Sequence, residues 1–415
     1  MRTQKKTRRQ HFTRAAQAVV LALGLLATTP VLGQVKRPTI KPRPVPQITT
    51  AARFPALDRS MKSEFIKLDK QGAGGVSGMS VAVMKNGRIV YTKGFGYLNK
   101  QDNVAMSAQT PLPWASVSKV LTAVAAWQLI NHPQGNLTPD TKVADVVSYW
   151  APQGSTHQEK KKLVTVGNLM NHRAGIGGYS SSGARDISGS EWQAAYDQAT
   201  SRVRRLGPKP EWDPRASLSY YTTKPLSGGI RTLQGEQKWN YEYTSFGTSV
   251  LGAVVDQKAR QVSGGRKGYV DWVKQDIGEA VGMKSLKTSN ISRQKIPGGG
   301  WDSPVTDMAK FMQALANDQL VPMNQLSSAM SLSRGGSYGR GVRRTENPSG
   351  SSRWYVGHGG VQTGVRTAMF ILTTYNSRTG MVTVAPEKFG ICVMRPERLG
   401  GWRKPLTPSR LTWPS

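Results

Sequence analysis

The chain has 415 residues, of which 38% are hydrophobic and 20% are charged, so it can bury a large core and is not a disordered protein. Its net charge of +33, from 57 basic and 24 acidic residues, favours anionic surroundings such as a cell-wall polymer or a membrane surface. Adaptation for solubility or surface adhesion is the simpler explanation of this charge. Specific nucleic-acid binding is not expected, because no basic stretch is interleaved with aromatic residues and no nucleic-acid module is recognisable.

The first residues predict the compartment. Residues 1–33 combine the basic segment MRTQKKTRRQHFTR, the apolar segment AAQAVVLALGLLA and small residues before Gln34, an order typical of a cleaved secretory signal peptide. We therefore expect export, with a periplasmic or secreted mature protein. The apolar segment is short for a membrane span, so an uncleaved N-terminal anchor is the less favoured alternative.

Three further segments follow the signal peptide. Residues 34–51 are basic and rich in proline, which is typical of an extended linker. Residues 52–396 have the hydrophobic patterning of a folded domain, whereas residues 397–415 form an irregular basic tail. The only cysteine, Cys392, lies in the strand-like segment FGICVMR, so we expect a buried thiol and no internal disulfide.

Within the domain, the predicted elements run from strands to helices and back to strands. The segment GMSVAVMKNGRIVYTKGFGYLN predicts a β-hairpin that turns at Asn86-Gly87, a dipeptide that accepts positive φ. Residues 116–130 predict a buried helix because they are apolar nearly all round. This order indicates an α+β fold whose sheet joins both ends of the domain. Further helices are predicted at 140–149, 165–171, 245–258 and 305–317, and further strands in TAMFILTT, MVTVAP and FGICVMR.

A serine and a lysine three residues apart stand at the head of the buried helix. Ser116 and Lys119 project from the same helix face, and the segment from 114 to 130 contains no acidic residue to neutralise the lysine. A lysine in such surroundings is suited to moving protons for a serine nucleophile. The alternative is a helix-capping serine beside a lysine whose amine reaches solvent. A second pair of this spacing, Ser292 and Lys295, precedes IPGGGW with no buried helix and is set aside.

Two more segments contain candidate site residues. Tyr243 and Ser245 lie in NYEYTSFGTSVLG, just before a predicted helix that can bring the phenol against the serine–lysine pair. His358, followed by Gly359 and Gly360, precedes a β-rich run and suits an edge strand that a substrate backbone can approach closely. The alternatives are a structural tyrosine and an exposed histidine in a turn.

Other catalytic patterns are less consistent with their surroundings. The segment GGSYG around Ser337 matches the nucleophile elbow of α/β-hydrolases, but no strand precedes it and no helix follows. The segment at 287–289 is similar to a Lys-Thr-Gly strand motif without its glycine. The histidines are scattered without paired-ligand spacing, so neither a metal site nor another cofactor is expected.

Taken in order, the motifs Ser-x-x-Lys, Tyr-x-Ser and His-x-Gly resemble those of the class C β-lactamase-like serine hydrolases, a group that includes D-Ala-D-Ala carboxypeptidases, D-amino-acid peptidases and esterases. Connecting segments such as VTVGNLMNHRAGI and GGGWDSPVTDMAKFMQAL are similar to that family as well, and the resemblance covers residues 60–395. It implies a β-lactamase/DD-peptidase-like α+β fold. In that fold an antiparallel sheet flanked by helices meets a helical lobe, and the active site lies in the cleft between them.

The resemblance also implies a role for each matching residue. Ser116 would form an acyl-enzyme, Lys119 and Tyr243 would share the proton transfers with Tyr243 as phenolate base, and water would deacylate the serine. The backbone N–H groups of Ser116 and Val361 would bind the oxyanion. The remaining substrate-binding positions would be Ser245, His358, Gly359 and Gly360.

Three departures from the family pattern affect the expected substrate. Ser245 stands where many members have asparagine, His358 where β-lactamases have lysine, and Gly359 where a hydroxyl meets the substrate carboxylate. We therefore expect an exported serine hydrolase that cleaves a small ester or amide or a cell-wall peptide. β-Lactamase activity and a non-catalytic cell-wall-binding protein are the alternatives, and the sequence does not predict the oligomeric state.

Overall fold

The structure is a computed structural model of the chain. It describes residues 54–69, 77–99, 103–150, 162–177, 211–219, 230–233, 236–289, 293–330, 337–345 and 352–396. The predicted signal peptide at 1–33, the linker at 34–51 and the tail at 397–415 lie outside these ranges. Across the described ranges, every helix is too short or too polar to cross a membrane.

An eight-stranded sheet dominates the fold, with strand order β3-β2-β1-β13-β11-β10-β9 and β12 paired to β11. A three-stranded sheet has the order β4-β8-β7, and β5 pairs with β6. Every described strand pair is antiparallel. The strands are β1 (Gly78–Lys85), β2 (Arg88–Asn99), β3 (Val104–Ala105), β4 (Leu112–Pro113), β5 (Ile230–Leu233), β6 (Glu236–Trp239), β7 (Lys287–Thr288), β8 (Trp301–Ser303), β9 (Arg343–Arg344), β10 (Arg353–Gln362), β11 (Val365–Asn376), β12 (Met381–Val384) and β13 (Gly390–Pro396).

Among the described residues, most of the helices lie between β4 and β9. The α-helices are α1 (Pro55–Asp69), α2 (Ser118–Ile130), α3 (Val143–Val146), α4 (Val166–Met170), α5 (Pro214–Ser219), α6 (Ser245–Ser263), α7 (Tyr269–Asp271), α8 (Ile296–Gly299), α9 (Val305–Ala316) and α10 (Met323–Leu326). Three short segments are 3₁₀ helices: Ala115–Val117, Glu279–Val281 and Arg293–Lys295. The segment Trp272–Gly278 is a π-helix.

The two ends of the domain meet in the centre of the main sheet. The β1–β2 hairpin turns at Asn86 and Gly87, whose φ angles are 52° and 69°, as the dipeptide predicts. On its other side, β1 pairs with β13, so that Ala82 lies opposite Cys392. The predicted α+β fold with a sheet that joins both ends is therefore confirmed, and Cys392 is fully buried.

Alternation along β1 divides the core into two layers. Ala82 and Met84 face the larger layer, which contains the buried residues of α2, α6 and α9. Val81 and Val83 face the smaller layer, which Met61 of α1 covers. The central sheet is thus buried on both faces, and its larger layer supports the elements that carry the candidate site.

Several element boundaries differ from the predictions. The first buried helix begins at Ser118 instead of 116, because Ala115 has a φ of 46° and the next turn is 3₁₀. The helix predicted at 140–149 is a single turn, α3. Helix α6 continues past 258 to Ser263 and ends where Gly264 adopts a left-handed conformation. Helix α1 has no counterpart among the predicted elements.

Candidate active site

The lysine of the Ser-x-x-Lys motif has three oxygen neighbours. Lys119 Nζ lies 3.0 Å from Ser116 Oγ and 2.9 Å from Ser245 Oγ. It also donates to the carbonyl oxygen of Gly298 at 2.6 Å. The structure therefore brings Ser116, Lys119 and Ser245 together, although the serines lie on different elements.

Lys119 is surrounded by apolar structure. Its side chain is 2% exposed, and α2 is buried on almost all sides. Burial lowers the pKa of the Lys119 amine well below its usual value, and the positive charge of Lys295 lowers it further. A neutral amine can donate one N–H to the Gly298 carbonyl while its lone pair accepts the hydroxyl proton of Ser116. The surroundings therefore favour the form of the amine that can act as a base.

Tyr243 lies close to both Lys119 and Ser116. The lysine Nζ is 5.0 Å from the centre of the phenol ring, and the Tyr243 hydroxyl contacts Ser116. Although 40% of the side chain is exposed, protein surrounds the hydroxyl, and burial raises the pKa of Tyr243 above its usual value. The expected phenolate is therefore disfavoured. The nearby positive charge of Arg343 favours the phenolate, but its effect on the pKa of Tyr243 is smaller than that of burial.

The N-terminal cap of α6 explains how Tyr243 reaches Ser116 and Lys119. Thr244 is the residue before the helix, and its side chain accepts from the N–H groups of Phe246 and Gly247 at 3.1 and 3.5 Å. This cap fixes the chain direction at the start of α6. Tyr243 and Ser245 consequently lie on either side of the cap and both face Lys119.

Strand β10 approaches the Ser116 turn at a glycine. A Cβ on Gly360 would lie 2.6 Å from the carbonyl oxygen of Trp114 and 3.0 Å from Ala115 Cβ. On the adjacent strand, Thr367 donates to the same Trp114 carbonyl at 2.7 Å. Only a residue without a side chain allows this approach, which accounts for the glycine at this position.

The backbone of Val361 faces away from β11. Successive residues of an antiparallel strand alternate between bonding to the neighbour and facing outwards. Tyr355 faces outwards, because its carbonyl accepts the N–H of Thr345 at 2.9 Å on the β9 side. Val361 follows an even number of residues later in an unbroken register, so its N–H faces outwards too, next to the Ser116 turn.

Ala115, just before the candidate nucleophile, is in a strained conformation. Its φ of 46° is in the left-handed region, where residues with a side chain are rarely found. The side chain is buried, and the backbone is fixed between Gly360 and the start of α2. This conformation takes Ser116 out of the regular helix, which begins at Ser118.

His358 is a buried member of the strand, which excludes the exposed turn histidine. It is 1% exposed, Nε2 lies 2.9 Å from the Tyr338 hydroxyl and Nδ1 lies 2.6 Å from the Gly359 carbonyl oxygen. Burial lowers the pKa of His358 to about 3, and the nearby charge of Lys119 acts in the same direction. His358 is therefore neutral in the folded protein.

Two further residues with ring side chains, His172 and Tyr338, lie at the site and were not predicted from the sequence. His172, 3% exposed, has its ring centre 4.5 Å from those of both Tyr243 and Tyr338. Its Nδ1 accepts the N–H of Thr244 at 3.3 Å. The segment NHRAGI contributed only to the family resemblance, and no local pattern identifies either residue as part of the site.

The patterns set aside earlier have other roles. Gly298, in IPGGGW, provides the carbonyl that holds Lys119, so this segment belongs to the site, while Ser292 lies outside the described ranges. Ser337 is exposed and precedes a bridge between Tyr338 and Arg343 instead of a strand and helix. Among the described residues, no cluster of histidine, cysteine or acidic side chains could hold a metal ion.

A family model described as Beta-lactamase matches residues 64–389. Penicillin-binding protein 4 of Amycolatopsis lactamdurans is 34% identical over 103 residues, which are 25% of this chain and 26% of that protein. The putative penicillin-binding protein PbpX of Bacillus subtilis is 32% identical over 105 residues, 25% of this chain and 24% of that protein. The chain thus matches about a quarter of the length of these relatives.

Solved structures share the fold. The octameric penicillin-binding protein homologue from Pyrococcus abyssi has a TM-score of 0.55 and 21% identity, over 83% of this chain and 74% of its own. The D-amino acid amidase from Ochrobactrum anthropi SV3 has a TM-score of 0.54 and 17% identity, over 81% and 91%. The predicted β-lactamase/DD-peptidase-like arrangement of sheet and helices is therefore confirmed.

Proposed function

The chain belongs to the beta-lactamase family, whose members are serine hydrolases, and we propose that it is an exported hydrolase that forms an acyl-enzyme on Ser116 and cleaves an ester or amide. One observation carries this proposal. The amine of Lys119, buried and with a pKa well below its usual value, lies 3.0 Å from Ser116 Oγ. A serine hydroxyl is too weak an acid to attack a carbonyl unaided, and this amine is placed to take its proton.

Acylation begins with proton transfer from Ser116 Oγ to Lys119 Nζ as the oxygen attacks the scissile carbonyl. The lysine gains a proton and a positive charge, which the Gly298 carbonyl stabilises. Tyr243, in contact with Ser116 and close to the amine, then donates its proton to the leaving group and recovers one from Lys119. Tyr243 acts here as a proton relay, because its raised pKa disfavours the phenolate.

The negative charge of the tetrahedral intermediate is bound by two backbone N–H groups. One is that of Ser116 itself, and the other is the outward-facing N–H of Val361 on β10. Two such donors stabilise the charge that develops in the transition state more than that of the ground state. Water then attacks the acyl group, with the same amine and phenol moving its protons, and Ser116 is released.

The surroundings of the scissile bond favour substrates without an essential carboxylate. His358 is neutral where β-lactamases carry a lysine, and Gly359 lacks the hydroxyl that would meet a carboxylate. Ser245 offers a shorter side chain than the asparagine of many members. Small esters and amides are therefore the preferred substrates, and amides of D-amino acids are one class to test, given the shared fold with a D-amino acid amidase.

A cell-wall peptidase is the second candidate function. Its support is the sequence similarity to penicillin-binding proteins together with the net charge of +33, which would attract an anionic wall polymer. A non-catalytic wall-binding protein would share the charge but would not require the neutral amine beside Ser116. Polymer binding that persists in Ser116→Ala, with no turnover by the wild type, would support that alternative.

The test is the intact mass of the protein after incubation with a fluorophosphonate or with benzylpenicillin. We expect a fluorophosphonate adduct on the wild type and on the matched control Ser337→Ala, and none on Ser116→Ala. A penicillin adduct would favour the peptidase, whereas its absence would favour the esterase. An adduct lost only in Ser337→Ala would support an α/β-hydrolase mechanism instead, and no adduct on any variant would contradict the proposal.

A further inference from the structure

A cluster of two imidazoles and two phenols lies behind the candidate site. We call it the Tyr338 cluster; its members are His172, Tyr243, Tyr338 and His358. The ring centre of Tyr338 lies 4.5 Å from that of His172, 6.1 Å from that of Tyr243 and 5.7 Å from that of His358. Tyr338 is 5% exposed, and like His172 it has no part in the chemistry described so far.

The hydrogen bonds of His358 fix its proton positions. The carbonyl oxygen of Gly359 can only accept, so Nδ1 at 2.6 Å must carry the proton and donate. In the neutral imidazole Nε2 then has a lone pair, and it accepts from the Tyr338 hydroxyl at 2.9 Å. Both ring nitrogens are therefore engaged within the protein, and neither is directed to a substrate.

The hydrogen bond from His358 to Gly359 occupies one carbonyl group on the outer edge of β10, the edge that faces away from β11. Residues 355, 357, 359 and 361 turn their backbone groups towards this edge. The carbonyl of Tyr355 accepts the N–H of Thr345, Gly357 lies opposite Arg343 of β9, and the Gly359 carbonyl accepts from His358. Along the described part of this edge, Val361 keeps both its outward N–H and its carbonyl for a bound molecule, whereas Gly359 keeps only its N–H.

We propose that Tyr338 is a positioning residue that, together with the Gly359 carbonyl, holds His358 as the Nδ1–H tautomer. In this form the imidazole caps the Gly359 carbonyl and leaves Val361 as the residue of the β10 edge with both backbone groups open. The consequence for specificity is a substrate that meets the strand at a single residue, such as an ester or amide of a short acyl group. The effect on turnover rests on the proposed function, whereas the tautomer does not.

The tautomer is tested by ¹⁵N NMR of histidine-labelled protein, with the His358 signal assigned by its absence in His358→Gln. In the wild type we expect a protonated Nδ1, an unprotonated Nε2 and no titration of this ring above about pH 4, given its pKa of about 3. In Tyr338→Phe, which keeps the ring but loses the hydroxyl, the hydrogen bond to Nε2 that favours the neutral form is lost, so the pKa of His358 should rise and its Nε2 signal should shift.

Tyr355→Phe is the matched control, because this tyrosine lies on β10 but its side chain is on the opposite face from His358. It should leave the His358 signals unchanged. A wild-type ring protonated at Nε2, or identical His358 signals in the wild type and Tyr338→Phe, would overturn the proposal. The wild-type spectrum alone shows which ring nitrogen of His358 is protonated, so the tautomer can be determined even if the variant folds poorly.

Turnover provides the second measurement. With p-nitrophenyl butyrate, we expect kcat to fall about tenfold in Tyr338→Phe with little change in KM, because the loss of one buried hydrogen bond disturbs the strand that stabilises the transition state. The wild type should also gain no kcat/KM when the acyl group is lengthened from one N-acetylated residue to three. A steady gain in kcat/KM with acyl length would contradict a substrate contact at Val361 alone. Absence of a Ser116 adduct would refute the proposed function and leave the tautomer result standing.

Discussion

The Lys119 amine and the Gly298 carbonyl oxygen are 2.6 Å apart, although 179 positions separate the two residues in the chain. The amine is buried, so this carbonyl compensates part of the cost of removing it from water. The contact also directs the amine towards Ser116. A backbone group of a glycine-rich segment thereby orients the side chain on which the proposed proton transfer depends.

Replacement of Lys119 by methionine should abolish the reactivity of Ser116 while leaving the fold intact. Methionine fills a similar volume in the apolar surroundings but cannot accept the hydroxyl proton. We expect a loss of about 10²–10⁴-fold in the rate of fluorophosphonate labelling, the range for removal of a general base. Circular dichroism should show an unchanged fold, and labelling at the wild-type rate would exclude Lys119 as the base.

Burial of Lys119 and the charge of Lys295 should together set the acidic limit of activity. Activity requires the neutral Lys119 amine, so it falls as the pH drops through the lowered pKa of this group. Lys295→Gln removes a repulsion that disfavours the ammonium form, so the pKa of Lys119 should rise and the acidic limb of kcat/KM should move to higher pH. Lys258→Gln, a partly exposed change on α6, should leave the profile in place. Superimposed profiles for Lys295→Gln and the wild type would show that this charge has no influence.

The glycine between β10 and the Ser116 turn should not tolerate a side chain. In Gly360→Ala the new Cβ would lie 2.3 Å from Thr367 Oγ1 and 2.6 Å from the Trp114 carbonyl oxygen, so the strand must move. We expect a loss of about 1–3 kcal/mol in unfolding free energy, typical of overpacking, and a loss of Ser116 labelling. In Gly299→Ala the nearest atoms would be 3.7 and 3.8 Å away, so urea denaturation should show a smaller change. Equal stability of the two variants would contradict the close approach.

The attachment of α1 to the sheet should depend on pH. Lys93 donates to Asp58 of α1 at 2.6 Å, and this hydrogen bond lowers the pKa of Asp58 below its usual value. A carboxylate with a lowered pKa in the folded state adds stability at neutral pH, and that stability is lost as the pH falls through the lowered value. Asp58→Asn should cost about 0.2–1 kcal/mol at pH 7, since the pair is partly exposed, and nothing near pH 2. A cost that is the same at both pH values would rule out this linkage.

The sequence predicts the parts of the site that depend on local spacing. Ser116 and Lys119 are three residues apart, and their contact follows from a single helical turn even though α2 begins at Ser118. Tyr243 and Ser245 are predictable in the same way, from the start of α6. The β1–β2 hairpin follows from its turn dipeptide.

The parts of the site that the sequence does not predict depend on contacts between distant segments. Tyr338 reaches His358 only because β9 and its preceding turn pair with the edge of β10, a register that no short pattern encodes. IPGGGW has no apolar periodicity, so its contact with Lys119 becomes visible only in the folded chain. The raised pKa of Tyr243 could not be predicted for a related reason, since burial depends on everything packed around a group rather than on its neighbours in sequence.

The pairing of β1 with β13 also affects how the chain folds. Ala82 and Cys392, opposite each other in the sheet, are roughly 310 residues apart in the chain, and β13 is the strand that connects the first hairpin to β11. Contacts of such long sequence separation form slowly, because a large loop must close before they stabilise anything. The main sheet therefore stays in two parts until β13 takes its place between β1 and β11.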